Sequence, residues 1–435
     1  MGYLAKNGIG STQKKTLLSS FVGWMFDGYE TSALILVGFV AISSMMPVGT
    51  DPSVIRLSVG YSIAATLLGW AIGGVIGSIY ADYIGRKKML LIAILGYSVF
   101  TGITALAQTP ESLIVLRFIT GLFLGSEWAT GTALIAETWP KNFRSKALGI
   151  MQSGFGFGFL LASGLWLFAQ PLLGSSAWRW MFVFGVLPAI LLIYIRRALP
   201  ESELWLEAIK NKQWTTTEQN ISYAKSSKRP FTLSQVFSDS VARYRMFLTL
   251  ILCSVTVAVF YGTSVLIPPY IGSLAAKSGL DPKLWASYGA IIYNIGAIIG
   301  YISAGFLADA LGRKKYMFLI FTGGLIVGPV MFNITPDLVT ALIFTPLLGM
   351  FTLGAFSWMP IYLPELFATN VRSTATGFVF NTSRLIATPA PIYAALLFTT
   401  LGGPAMSVTY LSLLFIISIV VVIFLPETKG QPLPK

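Results

Sequence analysis

The sequence predicts an all-α integral membrane protein built from two related halves. Hydrophobic residues make up 55% of its 435 residues and charged residues only 11%, and the mean hydropathy is +0.73. This composition is too apolar for a soluble globular chain. A short polar motif also occurs twice, about half a chain length apart, and the cations gather between apolar stretches instead of spreading evenly.

The repeated motif is a polar loop between two apolar stretches. Aligning Asp82 with Asp309 superimposes the Gly-Arg-Lys-Lys sequence that follows each acid shortly afterwards. The acid ends one helix, the glycine permits a turn with positive φ, and the three cations remain among the lipid headgroups. A repeat of this length indicates two copies of a large helical bundle.

Apolar stretches that could cross the membrane follow one another along the chain, since about 20 residues span the ~30 Å of hydrocarbon. We expect helices near 17–42, 58–80, 89–107, 112–136, 146–170, 179–198, 245–270, 285–308, 316–333, 338–360, 373–398 and 404–425. The long polar segment 199–244 is predicted to be a cytoplasmic linker, with a short surface helix near Glu203 to Lys210. It separates an N-terminal bundle, 1–198, from a C-terminal bundle, 245–435.

The net charge of +13 would suit nucleic acid binding only if the cations formed one folded surface. Their placement indicates a membrane protein instead. Four cations fall on one predicted side, namely Arg56, Arg179, Lys277 and Lys283, and two, Arg117 and Arg384, lie within helices. All the other cations fall on the opposite side. The positive-inside rule therefore predicts a multi-pass protein of the cell membrane with both termini cytoplasmic and no nucleic acid partner.

The first span carries two acids, Asp27 and Glu30, one turn apart on the same helix face. A charge at the bilayer centre costs about 2.5–3.5 kcal/mol on insertion scales. At least one of the two acids should therefore be protonated or paired, as a proton-coupled carrier requires. The alternative is that Asp27 only holds a neighbouring helix through an ion pair. Because the chain has no histidine, any proton relay must use carboxylates.

The fourth span contains the possible partner of these acids. Arg117 is followed by Gly121 and Gly125 at four-residue spacing, which lets another helix approach closely. Glu127 lies about 15 Å deeper along the same helix and is a second candidate proton site. Further along, Glu137 and Arg144 repeat as Glu365 and Arg372, again with the base seven positions after the acid, which indicates charge clusters at a cytoplasmic surface.

These repeats resemble the signature of the major facilitator superfamily, most closely the metabolite:proton and sialate or organic-acid:proton symporters, with sugar porters as neighbours. Ser78 stands where the family usually has the first glycine of the motif. The resemblance implies twelve transmembrane helices in two six-helix bundles, with Asp27 as the proton site and Arg117 as its partner. It also implies cytoplasmic gates made by the pairs Asp82/Arg86, Asp309/Arg313, Glu137/Arg144 and Glu365/Arg372.

Arg384 is the best clue to the substrate, because it lies about 18 Å beyond Arg372 along a helix and so near the bilayer centre. A guanidinium there needs an anion, and its two parallel N–H groups match a carboxylate. Either the substrate supplies that carboxylate or Glu127 or Asp27 does. For the other polar groups at this depth two roles are open, substrate binding or packing between helices. These groups are Asn381, Gln152, Asn294, Tyr293 and Tyr29.

The sequence therefore predicts a proton-coupled symporter of a small organic anion, a sugar acid or a monocarboxylate, that works by alternating access. A neutral sugar symporter is the alternative, and a drug/proton antiporter a more distant one. The helix-7 glutamine pair of sugar porters and the helix-5 Gly-Pro-Gly motif of drug antiporters are both absent. With no histidine and one cysteine, we expect no enzyme activity, no metal and no cofactor besides the coupling proton. A monomer is the superfamily default.

Overall fold

The structure is a computed structural model that describes residues 9–190, 199–212, 229–334, 337–387 and 403–434, together with residues 197, 214 and 216. The first half contains α1 Ser11–Met45, α2 Pro52–Ile84, α3 Arg86–Thr104, α4 Pro110–Thr138, α5 Lys141–Leu173 and α6 Ala177–Phe184. The linker contains α7 Glu203–Lys210 and α8 Thr232–Ser238. The second half contains α9 Ser240–Ser264, α10 Ile267–Lys277, α11 Pro282–Leu311, α12 Arg313–Ile334, α13 Leu338–Phe351, α14 Trp358–Leu366, α15 Arg372–Ala387, α16 Pro404–Leu413 and α17 Phe415–Phe424.

Within the described ranges, ten helical segments are long and apolar enough to cross a membrane. The twelve expected spans reduce to ten for two reasons. The fifth and sixth form one continuous segment, Lys141–Ile190. The eleventh, predicted over 373–398, begins as α15, and its remaining residues lie outside the described ones. The predicted all-α membrane fold is confirmed, and so is the predicted surface helix at Glu203–Lys210.

Each half packs mainly on itself, and two pairs of helices join the halves. In the first half α2 packs on α4, α1 on α5 and α3 on α4, while in the second half α11 packs on α13 and α9 on α15. The halves meet where α5 lies along α11 and where α2 lies along α15. The sites described below lie on or beside these two contacts.

Glycines bring α2 and α4 into backbone contact. A Cβ atom at Gly73 would lie 1.9 Å from the carbonyl oxygen of Leu122, and one at Gly125 would lie 2.0 Å from the carbonyl oxygen of Trp70. Small residues at such crossings are a common means of packing helices in lipid, where no hydrophobic force drives them together. The crossing fixes Trp70 of α2 against α4 at the centre of the first half.

Alternate glycines of α5 face two different neighbours. Cβ atoms at Gly154 and Gly158 would lie 2.6 Å from the carbonyl oxygen of Phe21 and 1.9 Å from that of Met25, both on α1. A Cβ atom at Gly156 would instead lie 2.6 Å from the side chain of Ile298, on α11 of the other half. The Gly-Phe-Gly-Phe-Gly sequence therefore lets α5 pack closely on both halves at once.

We predict that Gly73→Ala lowers the thermal stability of the detergent-solubilised protein, since the new methyl must push α2 away from α4. Overpacking of this kind costs about 1–3 kcal/mol. Gly60→Ala, on the same helix, is the matched control, because nothing lies within 4 Å of a Cβ at that position. It should leave the melting temperature unchanged or raise it, since alanine favours helix over glycine. Equal melting temperatures for the two variants would contradict the packing argument.

Candidate functional site

The two repeated loops lie at one end of the bundle, which we call the basic end. Each loop turns at a glycine with positive φ, +102° at Gly85 and +96° at Gly312, a conformation that side chains disfavour. A glutamate caps the helix that follows each turn. Glu201 accepts a hydrogen bond from the backbone nitrogen of Arg86 at 2.9 Å, and Glu427 accepts one from that of Arg313 at 2.9 Å.

The glutamate cap in the second half is an electrostatic one. Burial acts to raise the pKa of Glu427, but backbone N–H groups of Arg313, Lys429 and Lys314 donate to its carboxylate and lower the pKa below its usual value. The cap is therefore charged at neutral pH. A carboxylate at the N-terminus of α12 also interacts favourably with the positive end of the helix dipole.

Each half repeats the same buried ion cluster beneath its loop. The arginine after the glycine pairs with the acid of the loop and with the glutamate at the end of α4 or α14; these side chains are buried except that of Asp309, which is 22% exposed. The distances are 2.9 Å for Arg86 to Asp82, 3.0 Å for Arg86 to Glu137, 3.2 Å for Arg313 to Asp309 and 2.8 Å for Arg313 to Glu365.

The first cluster also holds the two halves together. Arg372, the first residue of α15, lies 2.7 Å from Glu137, so that this carboxylate bridges two guanidinium groups from different halves. Asp82 accepts a hydrogen bond from the backbone nitrogen of Thr374 at 2.7 Å and so caps α15. Arg86 donates to the carbonyl oxygen of Thr369 at 2.6 Å. The basic end is therefore closed by the first copy of the motif.

The predicted pairs Glu137/Arg144 and Glu365/Arg372 are wrong in their partners. Glu137 binds Arg372 of the other half, and Glu365 binds Arg313 of its own half. Arg144 forms no salt bridge with any residue in the described ranges. The physical reason is that the arginine seven residues after each glutamate lies in the next helix, and that helix faces the opposite half.

Arg117 pairs with Glu30 and not with Asp27, which corrects a second expectation. Its Nη1 lies 2.8 Å from a carboxylate oxygen of Glu30, and its Nη2 donates to three threonine hydroxyls. The guanidinium carbon also lies 4.8 Å from the ring centroid of Phe182. Glu30 lies one turn beyond Asp27 on α1, at the level of Arg117. This ion pair is buried, and within the described ranges the second carboxylate oxygen of Glu30 and the Nε of Arg117 have no hydrogen-bond partner.

Asp27 lies alone at the centre of the first half. It is 0% exposed, and neither carboxylate oxygen has a hydrogen-bond partner among the residues that the structure describes. The charges of Glu127, Arg384 and Glu30 act on it. The second predicted acid, Glu127, packs against Gly23 of α1, where a Cβ would lie 1.8 Å from its carboxylate oxygen. The structure therefore brings Asp27, Glu127 and Arg384 into one electrostatic neighbourhood.

Arg384 lies against an aromatic cluster formed by Trp24, Trp70, Trp128, Phe155 and Phe380. Its guanidinium carbon is 4.0 Å from the ring centroid of Trp70 and 4.4 Å from that of Phe380. Phe380 in turn stacks on Trp128, with centroids 3.8 Å apart and planes inclined by 23°. Trp24 contacts Trp70 edge-on and Phe155 at 4.9 Å. This cluster joins α1, α2, α4 and α5 to α15 of the other half.

The other predicted substrate-binding groups each have a hydrogen bond within the protein. The alternative, that they hold helices together, therefore explains part of the hydrogen bonding of each side chain. Their substrate roles stay predictions. The bonds are Trp128 Nε1 to Gln152 at 2.8 Å, Asn294 to the Gly156 carbonyl at 3.0 Å, Asn381 to the Gly377 carbonyl at 2.8 Å, Tyr29 to the Met181 carbonyl at 2.7 Å, and Tyr293 with Thr352 at 2.7 Å. The side-chain amide oxygens of Asn294 and Asn381 have no partner within the described ranges.

Sequence reasoning missed the aromatic cluster, because tryptophan and phenylalanine are ordinary residues in apolar spans. A signal was present, however. Trp24 precedes Asp27 by three residues and Phe380 precedes Arg384 by four, so each charged residue has a ring one turn before it on its helix. Such spacing places ring and charge on the same helix face.

Comparison with known proteins identifies the class. Residues 48–435 match the family described as "Sugar (and other) transporter", so this chain belongs to that family of membrane transporters. It is 29% identical over 428 residues to a putative metabolite transport protein of Haemophilus influenzae, covering 98% of this chain and 99% of that protein. It is 28% identical over 434 residues to the cis,cis-muconate transport protein of Acinetobacter baylyi, covering 98% and 97%.

The fold has a counterpart of known structure. The proton:xylose symporter XylE of the major facilitator superfamily superimposes with a TM-score of 0.74 at 19% identity, covering 97% of this chain and 98% of that chain. The protein is thus a multi-pass transporter of the major facilitator superfamily and not an enzyme, as expected from the repeated motifs.

We predict that Arg372→Gln opens the basic end, because it removes a charged hydrogen bond between the halves worth about 1.5–3 kcal/mol. Spin labels at Lys88→Cys and Lys315→Cys, two exposed positions in the first turns of α3 and α12, report the separation by double electron–electron resonance in a Cys253→Ser background. The variant should populate a longer distance.

Arg144→Gln is the control for this experiment, because Arg144 has the equivalent position in the first half but forms no salt bridge with another described residue. It should leave the distance distribution nearly unchanged. Equal shifts in both variants would show that the bridge between Glu137 and Arg372 is not what closes this end.

Proposed function

We propose that this transporter is a proton-coupled symporter of small organic anions. The observation that carries the proposal is the buried carboxylate of Asp27, which has no hydrogen-bond partner among the described residues and lies within the electrostatic reach of Arg384. A proton and a carboxylate substrate would neutralise these two groups together. The basic end would be cytoplasmic, since the loops there carry the clustered lysines and arginines, and both termini would lie on that side.

The proton site follows from a comparison of the acids in α1. The charge of Glu30 is compensated by Arg117 in a salt bridge, and the Nη2 of Arg117 donates to threonine hydroxyls. Asp27 has no such partner, and an unpaired carboxylate in a membrane interior is costly. Proton uptake from the far side is the simplest way to remove that charge. Glu127, whose charge acts on Asp27, can share the proton with it.

The anion site follows from the positions of the two arginines within the spans. Arg117 lies inside the first half, paired with Glu30, and Arg384 lies at the contact between the halves, where a substrate must bind in an alternating-access carrier. A guanidinium binds a carboxylate through two parallel hydrogen bonds. The Acinetobacter baylyi relative is named for cis,cis-muconate, a dicarboxylate, which supports an acid as the substrate.

In the proposed cycle, loading of Asp27 and Arg384 lets the two halves, 1–198 and 245–435, rock about their contact while the linker 199–244 joins them. The bridge from Glu137 to Arg372 and the cap from Asp82 to α15 break as the basic end opens. The coupling proton is the only cofactor that this cycle needs, and one chain contains both halves of the site. A neutral sugar is the competing substrate, because the family name includes sugars.

We predict that Asp27→Asn abolishes accumulation of substrate driven by a pH gradient, acid outside, in proteoliposomes, because asparagine cannot carry the coupling proton. Counterflow exchange should persist, since exchange needs no net proton movement. Glu30→Gln should behave differently and lower the melting temperature, since stranding one partner of a buried ion pair costs about 3–5 kcal/mol. Full gradient-driven accumulation by Asp27→Asn would rule out the proton assignment.

We predict that acids and not neutral sugars are accumulated, and that Arg384→Ala lowers acid uptake at least tenfold. The measurement compares radiolabelled short monocarboxylates and sugar acids with neutral sugars under an imposed pH gradient. Arg384→Lys, which keeps the charge but not the planar group, should retain partial uptake. Accumulation of a neutral sugar that is indifferent to Arg384→Ala would make the arginine structural and the protein a sugar symporter.

A further inference from the structure

We infer that two reciprocal fits of a side chain against a glycine hold α2 and α15 in one register, and that this register couples the centre of the transporter to its closed basic end. Ser78 and Asn381 are the side chains that fit, and Gly377 and Gly74 are the glycines that receive them. The inference goes beyond the proposed function, because it requires neither the proton site nor the anion site assigned above.

The two fits mirror each other across the contact between the halves. A Cβ atom at Gly377 of α15 would lie 1.7 Å from the hydroxyl oxygen of Ser78 and 2.3 Å from its Cβ atom. A Cβ atom at Gly74 of α2 would lie 2.2 Å from the Cγ atom of Asn381. Each helix therefore supplies one side chain and one glycine, and each side chain occupies the space that the missing Cβ of the other helix leaves.

Each inserted side chain is also bound by its own helix. The hydroxyl of Ser78 donates to the carbonyl oxygen of Gly74, and the side-chain nitrogen of Asn381 donates to the carbonyl oxygen of Gly377 at 2.8 Å. Hydrogen bonds to the carbonyl four residues earlier are a common local bond of such polar side chains in helices. Both residues are fully buried. Ser78 and Asn381 therefore project into the other helix in a fixed orientation.

These fits are the middle two of four successive contacts between α2 and α15, which we call the α2–α15 seam. Steps of four residues along α2 match steps of three or four residues along α15 in the opposite direction. The seam is about 18 Å long by helical rise. From the basic end to the centre, it consists of Asp82 with Thr374, Ser78 with Gly377, Gly74 with Asn381, and Trp70 with Arg384.

Only one register satisfies both fits. Gly377 is the single glycine of α15, so every other residue of that helix would place a Cβ against Ser78. A slide of α15 along α2 would therefore press Ser78 into a side chain, and a close-packed interior does not accept such an overlap without cost. We conclude that α15 must move away from α2 sideways and cannot slide along it.

This constraint links the two ends of the seam. Coupling between distant sites is carried by packed elements that have two discrete arrangements. Because α2 and α15 separate without sliding, the contact at the centre and the cap on Thr374 break in the same event. Arg372 lies two residues before Thr374 on α15, so its bridge to Glu137 breaks with them. Opening of the basic end is therefore one step that begins or ends at the centre of the transporter.

The test measures the basic end with the spin labels at positions 88 and 315 described above. Gly377→Ala should raise the ratio of long to short distances about fivefold or more, because its methyl collides with Ser78. Gly74→Ala should do the same through Asn381, although position 74 is about 12 Å from the cap at position 82 by helical rise. Gly60→Ala, on the same helix, has nothing within 4 Å of its Cβ and should leave the ratio unchanged.

Matched double variants separate the two fits from a general loss of packing. Ser78→Gly removes the atoms that the new methyl of Gly377→Ala would meet first, and the next atom, the Cβ of Ala129, is 3.3 Å away. The double variant should therefore return to the short distance. Asn381→Ala should rescue Gly74→Ala in the same way. The exchanged combinations, Ser78→Gly with Gly74→Ala and Asn381→Ala with Gly377→Ala, should keep the long distance.

Two results would overturn the inference: folded glycine variants that keep the wild-type ratio, or long distances that persist in both matched double variants. Melting temperatures establish whether each variant folds. If a glycine variant does not fold, Ser78→Gly combined with Asn381→Ala decides, because it removes both inserted side chains without a collision. This combination should populate longer distances at the basic end, and an unchanged distance distribution would overturn the inference as well.

Discussion

The closed end of this transporter depends on one buried carboxylate that two guanidinium groups share. Glu137 ends α4 and pairs with Arg86 of its own half and with Arg372 of the other half. Two cations compensate the desolvation of one anion more fully than a single partner could, and Arg86 also donates to the carbonyl oxygens of Thr369 and Ala81. Taking Arg372 away leaves Glu137 still paired, so the bridge can break without stranding a bare charge in the interior.

The duplicated motif is used unequally by the two halves. In the first half Asp82 caps α15 and Glu137 reaches Arg372, both across the contact between the halves. In the second half the link across the contact is a hydrogen bond from Arg313 to the hydroxyl of Ser145, while one carboxylate oxygen of Asp309 has no partner in the described part of the chain. A two-fold sequence repeat therefore supports a one-sided closure, in which the first copy supplies an ion pair across the contact and the second a hydrogen bond from a guanidinium to an uncharged hydroxyl.

Local sequence predicted the fold class because repeats, hydropathy and loop charges are properties of short stretches. It also indicated Asp27, Glu30 and Arg117 as buried charges in the right helices. The partner of Arg117 could not be read in this way. Asp27 and Glu30 share a helix face, and which of them is level with Arg117 depends on how far α1 is shifted along α4, which only the packed bundle fixes. The partners of Glu137 and Glu365 depend likewise on which half a helix faces.

The contacts between the halves are lined by some of the smallest residues in the chain. Along α5 and α11 a Cβ at Gly149 would lie 2.7 Å from the carbonyl oxygen of Tyr301, and one at Gly305 would lie 2.4 Å from that of Ser145. At these two glycines the helices meet through their backbones, without side chains that interlock as ridges in grooves. One helix can then tilt against the other without rotamers having to unlock first. The activation enthalpy of the conformational step would come mainly from breaking the ionic bridge between Glu137 and Arg372. The surface on which the helices tilt and the bonds that must break would then lie in different parts of the same interface.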